Sequence, residues 1–138
     1  MRTCVYYLMS NEQTSQQNKQ GATTMYIKQA EILGKTVEVT VDRPLGSYHP
    51  SHRDIRYPVN YGYIEGILGG DGEWQDAYIL GVDRPVEKLK GKVIAIILRK
   101  NDNECKWIVA PCDSAFTKEE ILKAISFQEK YFEIEIIT

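Results

Sequence analysis

Five short runs of strand character, each stopped by glycine, proline or a polar turn, precede a single helical pattern. That order leaves few folds open, because short strands on short connections must pair with one another before a late helix has anything to cover. Lys35 to Asp42 alternates strictly, with Val37, Val39 and Val41 on one face, and predicts a first strand. Arg43-Pro44-Leu45-Gly46 ends it in a turn. Tyr61 to Leu68 predicts a second strand, closed by Gly69-Gly70, and Ala77 to Gly81 a short, apolar third. Val82 to Lys90 is expected to be a connection, since it contains Pro85 and runs into Gly91. Lys92 to Leu98 is apolar on both faces and is therefore expected to be central. A polar hairpin over Arg99 to Glu104 leads to a fifth strand, Cys105 to Ala110, stopped by Pro111. Thr117 followed three residues later by Glu120 is a capping box. Ile121, Leu122, Ile125 and Tyr131 or Phe132 follow at helical spacing, so the helix is expected to reach about Tyr131. Glu133 to Ile136 is expected as a short extended tail. The pattern is mainly β with a C-terminal helix: a five-stranded, closed α+β barrel of the OB type.

The chain has 138 residues, enough for one core. Residues 25–138 are expected to form a single barrel domain. Residues 1–24 read as an extension, because Ser10 to Thr24 is almost entirely Asn, Gln, Ser, Thr, Gly, Ala and Lys and cannot bury a core. Two origins fit it: a natural disordered arm, or an upstream mis-start or added tail with Met25 as the start of the domain. A net charge of −2 argues against a nucleic-acid partner. No apolar run approaches the ~20 residues of a membrane span, so no membrane partner is expected. Cys4, Cys105 and Cys112 do not pair off evenly and show no CxxC spacing, which fits a reduced, cytoplasmic setting.

The stretch from Tyr57 to Asp76 holds the residues with chemical promise. Asp71, Glu73 and Asp76 fall within six positions around a glycine. Carboxylates this close raise one another's pKa unless a cation neutralises them. Hard oxygen donors that leave room for water suit Mg²⁺, with Mn²⁺ as the alternative. The spacing is not that of an EF-hand loop. Tyr57, Tyr61 and Tyr63 place hydroxyls able to donate to phosphate oxygens just ahead of it. The plainer reading of the acids is a solvated turn, and of the tyrosines aromatic packing.

Tyr57-Pro58-Val59-Asn60-Tyr61-Gly62-Tyr63-Ile64, followed by Asp71-Gly72 and Asp76, resembles the signature of the family I soluble inorganic pyrophosphatases. The resemblance extends more weakly through Lys106 and Val109-Ala110-Pro111 to the helix, over roughly residues 35 to 132. It implies the same barrel, Mg²⁺ as cofactor, inorganic diphosphate as substrate and a homo-oligomer. It implies further that Asp71, Asp76 and Glu104 hold metal, and that Glu73 helps activate water. Tyr61 orients the nucleophile or a carboxylate. The resemblance places Lys106, Tyr131 and Tyr57 on the phosphate side; Arg56, read from its own loop and not from the family, is expected to join them. Glu73 and Glu104 stand where the family has Asp, and Phe132 where it has a phosphate-binding lysine. Asn101 or Asp102 falls near a further family aspartate. The loop bearing His49, His52, Arg53 and Arg56 is the local source of positive charge upstream of Tyr57.

The leading expectation is therefore metal-dependent hydrolysis of inorganic diphosphate, slowed by the displaced carboxylates, since ~1 Å of misplacement costs ~100-fold in rate. A hydrolase of a different phosphoanhydride, or a catalytically weakened OB-fold binding module, are the alternatives.

Overall fold

The computed structural model describes residues 7–8, 31–100 and 104–138. Its strands are β1 (Tyr7–Leu8), β2 (Thr36–Arg43), β3 (Asn60–Leu68), β4 (Trp74–Ile79), β5 (Lys88–Arg99), β6 (Cys105–Ala110) and β7 (Ile134–Ile137), and the helix between β6 and β7 is α1 (Lys118–Glu129). β2 pairs with β3 and β5, β3 with β4, and β5 with β6, all antiparallel. β4 pairs parallel with β6 and closes the ring. The result is the expected five-stranded OB-type barrel, β2-β3-β4-β6-β5. β1 adds to the outer edge of β3, and β7 adds to β5. The remainder of residues 1–24, and Asn101 and Asp102, lie outside the described residues.

Period-two alternation sorts the side chains into two layers. Val39, Ile64, Ala77, Ile79, Ile96 and Trp107 turn into the barrel. Tyr61, Tyr78, Ile97 and Ile108 turn outward against Ile121 and Ile125 of α1. Both helix residues are fully buried, and truncating either to alanine should cost about 2–5 kcal/mol. The Thr117–Glu120 capping box is present. Leu122, by contrast, is exposed and does not belong to the packed stripe. Gln128 and Glu129 continue that stripe instead, as polar residues buried with partners.

Three elements differ from expectation. β4 begins at Trp74 rather than Ala77, because Gln75 and Asp76 pair with Ile64 and Tyr63 of β3. β5 begins at Lys88 rather than Lys92, because Lys88–Lys92 pair with Thr36–Thr40 of β2 despite their polarity. The tail after the helix is a true strand, β7, with Ile134 opposite Arg99.

The Asn60-Tyr61-Gly62 segment is fixed by packing. Asn60 is fully buried and accepts from the Leu45 and Val86 amides at 2.9 and 3.2 Å, while its side-chain amide donates to the Arg84 carbonyl at 2.9 Å. It thus ties two connections onto β3. Gly62 lies opposite Val41, and a Cβ there would fall 1.9 Å from the Thr40 carbonyl oxygen. Only glycine lets the two backbones approach this closely.

Candidate active site

The outward layer opens, at one end of α1, into a cavity of about 540 Å³. Asp42, Arg43, Tyr61, Asp76, Arg99, Glu104 and Lys106 line it, with His49, His52 and Asp54 from the loop after β2 and Tyr131 and Phe132 beyond the helix. Strand register explains the gathering. Ala77 faces Trp107 in the parallel β4–β6 pair, so Asp76 and Lys106 are neighbours one step back. Ile97 pairs with Lys106, which brings Arg99 to the level of Glu104. Asp42 and Arg43 are consecutive, and ordinary strand residues so placed would point to opposite faces. A register shift between Val41 and Arg43 lets both reach the cavity.

Lys106 is the centre of the charge arrangement. Its ammonium donates to Asp76 Oδ2 and Glu104 Oε1 at 2.7 Å each, and to the Tyr61 hydroxyl at 2.9 Å. Burial would lower its pKa, but Tyr61, Asp76 and Glu104 outweigh that and raise it above the ordinary lysine value. Burial holds the Tyr61 and Tyr78 hydroxyls above the ordinary tyrosine value, so both remain protonated donors at neutral pH.

A continuous polar chain extends from this point under the helix. Arg99 donates Nε to Glu129 Oε1 at 2.9 Å and Nη2 to Oε2 at 2.6 Å, and its Nη1 reaches Glu104 Oε1 at 3.5 Å. The Tyr78 hydroxyl donates to Glu129 at 2.6 Å and accepts from the Gln128 amide at 2.7 Å. Gln128 Oε1 accepts from the Tyr57 hydroxyl at 2.7 Å, which in turn accepts from Arg43 Nη1 at 2.6 Å. Arg43 lies over the Tyr57 and Tyr61 rings, 5.7 and 5.3 Å from their centroids, and Arg99 over Phe132 at 3.7 Å. The guanidiniums are thereby held by aromatic faces as well as by hydrogen bonds. Burial raises the Asp42 carboxyl above the ordinary value; the Asp76 charge adds to the rise and Arg43 opposes it. Burial, with the charges of Arg43 and His52, lowers the His49 imidazole.

Of the residues expected to act here, Tyr61, Asp76, Glu104, Lys106 and Tyr131 line the cavity. Tyr57 sits beneath it, fully buried, and reaches it through Arg43. Asp71, Glu73 and Arg56 are exposed and do not line it. Asp71 Oδ1 accepts from the Glu73 backbone amide at 3.1 Å, in a turn that Gly72 bends with φ of 85°. The carboxylate serves its own turn, and Asp71 and Glu73 do not join Asp76 in the cavity lining. Arg56 donates to the Gly46 carbonyl at 3.2 Å. Arg43, Asp42, Arg99, Gln128 and Glu129 complete the site and were not expected there. Cys105 is disulfide-bonded, and Cys112 is an exposed free thiol.

The expected metal set of Asp71, Asp76 and Glu104 is not assembled. Asp76 and Glu104 both hold the Lys106 ammonium, and Asp71 is spent on the turn. Among the described residues no group of three or more His, Cys, Asp or Glu is placed to hold a metal ion. The donor set does not fit a resident divalent ion, since Mg²⁺ demands near-octahedral oxygen at 2.0–2.1 Å.

A closed OB barrel with a helix laid across its outer face is an inorganic-pyrophosphatase-like fold. The solved structures bear this out. An inorganic pyrophosphatase from Ehrlichia chaffeensis superposes with a TM-score of 0.57 at 17% identity, over 75% of this chain and 85% of that one. The enzyme from Neisseria gonorrhoeae gives 0.54 at 17%, over 71% and 74%, and that from Helicobacter pylori 0.53 at 18%, over 73% and 81%. No family model and no curated protein sequence matches the chain. Among the described residues no helix is long and apolar enough to cross a membrane.

Proposed function

We propose that the cavity binds inorganic diphosphate, or a closely related phosphoanhydride, and hydrolyses it. The observation that carries this reading is the convergence of Arg43, Arg99 and Lys106 on one cavity, with Asp42 and Asp76 beside them. Hydrolysis of a phosphoanhydride is mainly a matter of neutralising phosphoryl oxygens and placing a water in line. The Arg43 guanidinium matches phosphate geometry, and Arg99, held by Glu129, adds positive charge to the wall. Tyr61 and Tyr131 add hydroxyl donors at the wall and the rim. Asp42, on the cavity wall beside Arg43, accepts a proton from the attacking water. The water oxygen bonds to one phosphorus, the bridging P–O bond breaks, and the other phosphate leaves.

Phosphate release from diphosphate, triphosphate and nucleotide substrates, with and without Mg²⁺, tests the reading. Release from diphosphate is expected, slower than for the relatives above, and reduced at least about 100-fold by Asp42→Asn. No release from any substrate would refute hydrolysis. A second reading, a binding module that holds the anion without turning it over, is favoured by the absence of Asp71 and Glu73 from the cavity lining. Diphosphate binding without phosphate release would support it.

A further inference from the structure

The Lys106 ammonium touches three oxygens at 2.7, 2.7 and 2.9 Å, contributed by β4, the residue before β6, and β3 respectively. Its side chain is 5% exposed, while those of Asp76 and Glu104 are 30% and 26% exposed. The cation therefore lies beneath two carboxylates that open toward the cavity. Two carboxylates this close need a positive charge between them. In this chain the charge is covalently tethered and already in place. A divalent ion entering alone would have to displace it, and would leave an ammonium buried among groups it had just lost.

We infer that Lys106 is the resident cation of this site. Its ammonium fills the place between Asp76 and Glu104 that a divalent ion would otherwise take, so Mg²⁺ enters only as part of a phosphoanhydride complex. The last step rests on the diphosphate reading above; the first does not. Mg²⁺ commonly binds through one or two carboxylates plus substrate phosphates rather than in an all-protein cage. Asp54 on the cavity wall supplies a carboxylate for such a complex, and Arg43 receives its phosphates.

Calorimetry with Mg²⁺, Mn²⁺ and methylenediphosphonate, a diphosphate that cannot be hydrolysed, tests this. The expected result is no measurable binding of either metal alone to the unmodified protein. The diphosphonate should bind at least about tenfold more tightly with Mg²⁺ than without. Lys106→Met and Lys106→Gln should gain Mn²⁺ binding in the absence of any anion. Tight Mg²⁺ or Mn²⁺ binding to the unmodified protein alone, no better in the Lys106 variants, would overturn the inference. Failure of the diphosphonate to bind under any condition would overturn the diphosphate reading, while the gain of Mn²⁺ binding in Lys106→Met would still uphold Lys106 as the resident cation. Should neither variant fold, the side-chain ¹⁵N resonance of Lys106 in the unmodified protein decides. A signal unmoved by Mg²⁺ alone but shifted by Mg²⁺ with diphosphonate is expected; a shift with Mg²⁺ alone overturns the inference.

Discussion

Removing the Glu129 carboxylate should destabilise the fold far more than removing the whole ion pair that it forms. Glu129 has a side chain of 0% exposure and accepts from Arg99 twice and from the Tyr78 hydroxyl once, at 2.9, 2.6 and 2.6 Å. Taking away one partner of a buried pair costs about 3–5 kcal/mol, because a charge stays buried with its main counter-ion gone. Loss of the acceptor for Tyr78 adds about 1 kcal/mol. Glu129→Leu should therefore lose about 4–6 kcal/mol, much of a total stability of about 5–15 kcal/mol for a domain of this kind. In the double variant Arg99→Met/Glu129→Leu both charges leave together, and the methionine thioether takes over the face of Phe132. That protein should lie within about 2 kcal/mol of the unmodified one. It should nonetheless bind methylenediphosphonate about 10- to 100-fold more weakly, because a cavity cation is gone. Urea unfolding followed by the fluorescence of Trp74 and the buried Trp107 reads the first quantity, and calorimetry the second. A single variant within about 1 kcal/mol of the unmodified protein, or a double variant no more stable than the single one, would refute the argument.

Other expectations follow from the same geometry. Gly62→Ala should cost at least about 2 kcal/mol in urea unfolding, since its Cβ meets the Thr40 carbonyl and neither backbone can yield. Asp71→Asn with Glu73→Gln should change diphosphonate affinity by less than about threefold in calorimetry, as both side chains stand away from the cavity. The Lys106 pKa is raised on folding, so the stability it adds is fully present below the unfolded lysine value and is lost only as pH rises through the higher folded one. The gap in unfolding free energy between the unmodified protein and Lys106→Met should thus hold level from about pH 7 to about pH 10 and narrow only above.

The barrel was legible in the sequence because its strands announce themselves by alternation and are separated by turn residues. Lys88–Lys92 was not, since Lys88, Lys90 and Lys92 read as a connection until β2 is there to pair with them. Half of the site was legible, through Tyr61, Asp76, Glu104 and Lys106. The gathering of Asp71 with Asp76 was overread: closeness in sequence does not bring side chains together when a left-handed glycine turns one of them back on its own loop. Arg43 and Asp42 were hidden because a register shift, invisible in a Val-Asp-Arg string, sends both to one side. The polar pair Gln128–Glu129 sits seven and eight residues beyond Ile121. That is core spacing on a helix, and it is the one signal that could have marked them as buried.

The way β7 follows α1 has a consequence for traffic through the cavity mouth. Only residues 130–133 separate the two elements, and they carry Tyr131 and Phe132 on the rim. The bridge is pinned at the helix end by the Phe132 amide on the Glu129 carbonyl at 2.9 Å, and at the strand end by the Lys100 amide on the Glu133 carbonyl at 2.8 Å. A span tethered so closely at both sides has no slack with which to swing. That side of the mouth is thus a fixed wall, which screens ligands by steric sieving. Stopped-flow association should be a single phase whose rate climbs linearly with ligand concentration, without the plateau that a preceding opening step would impose.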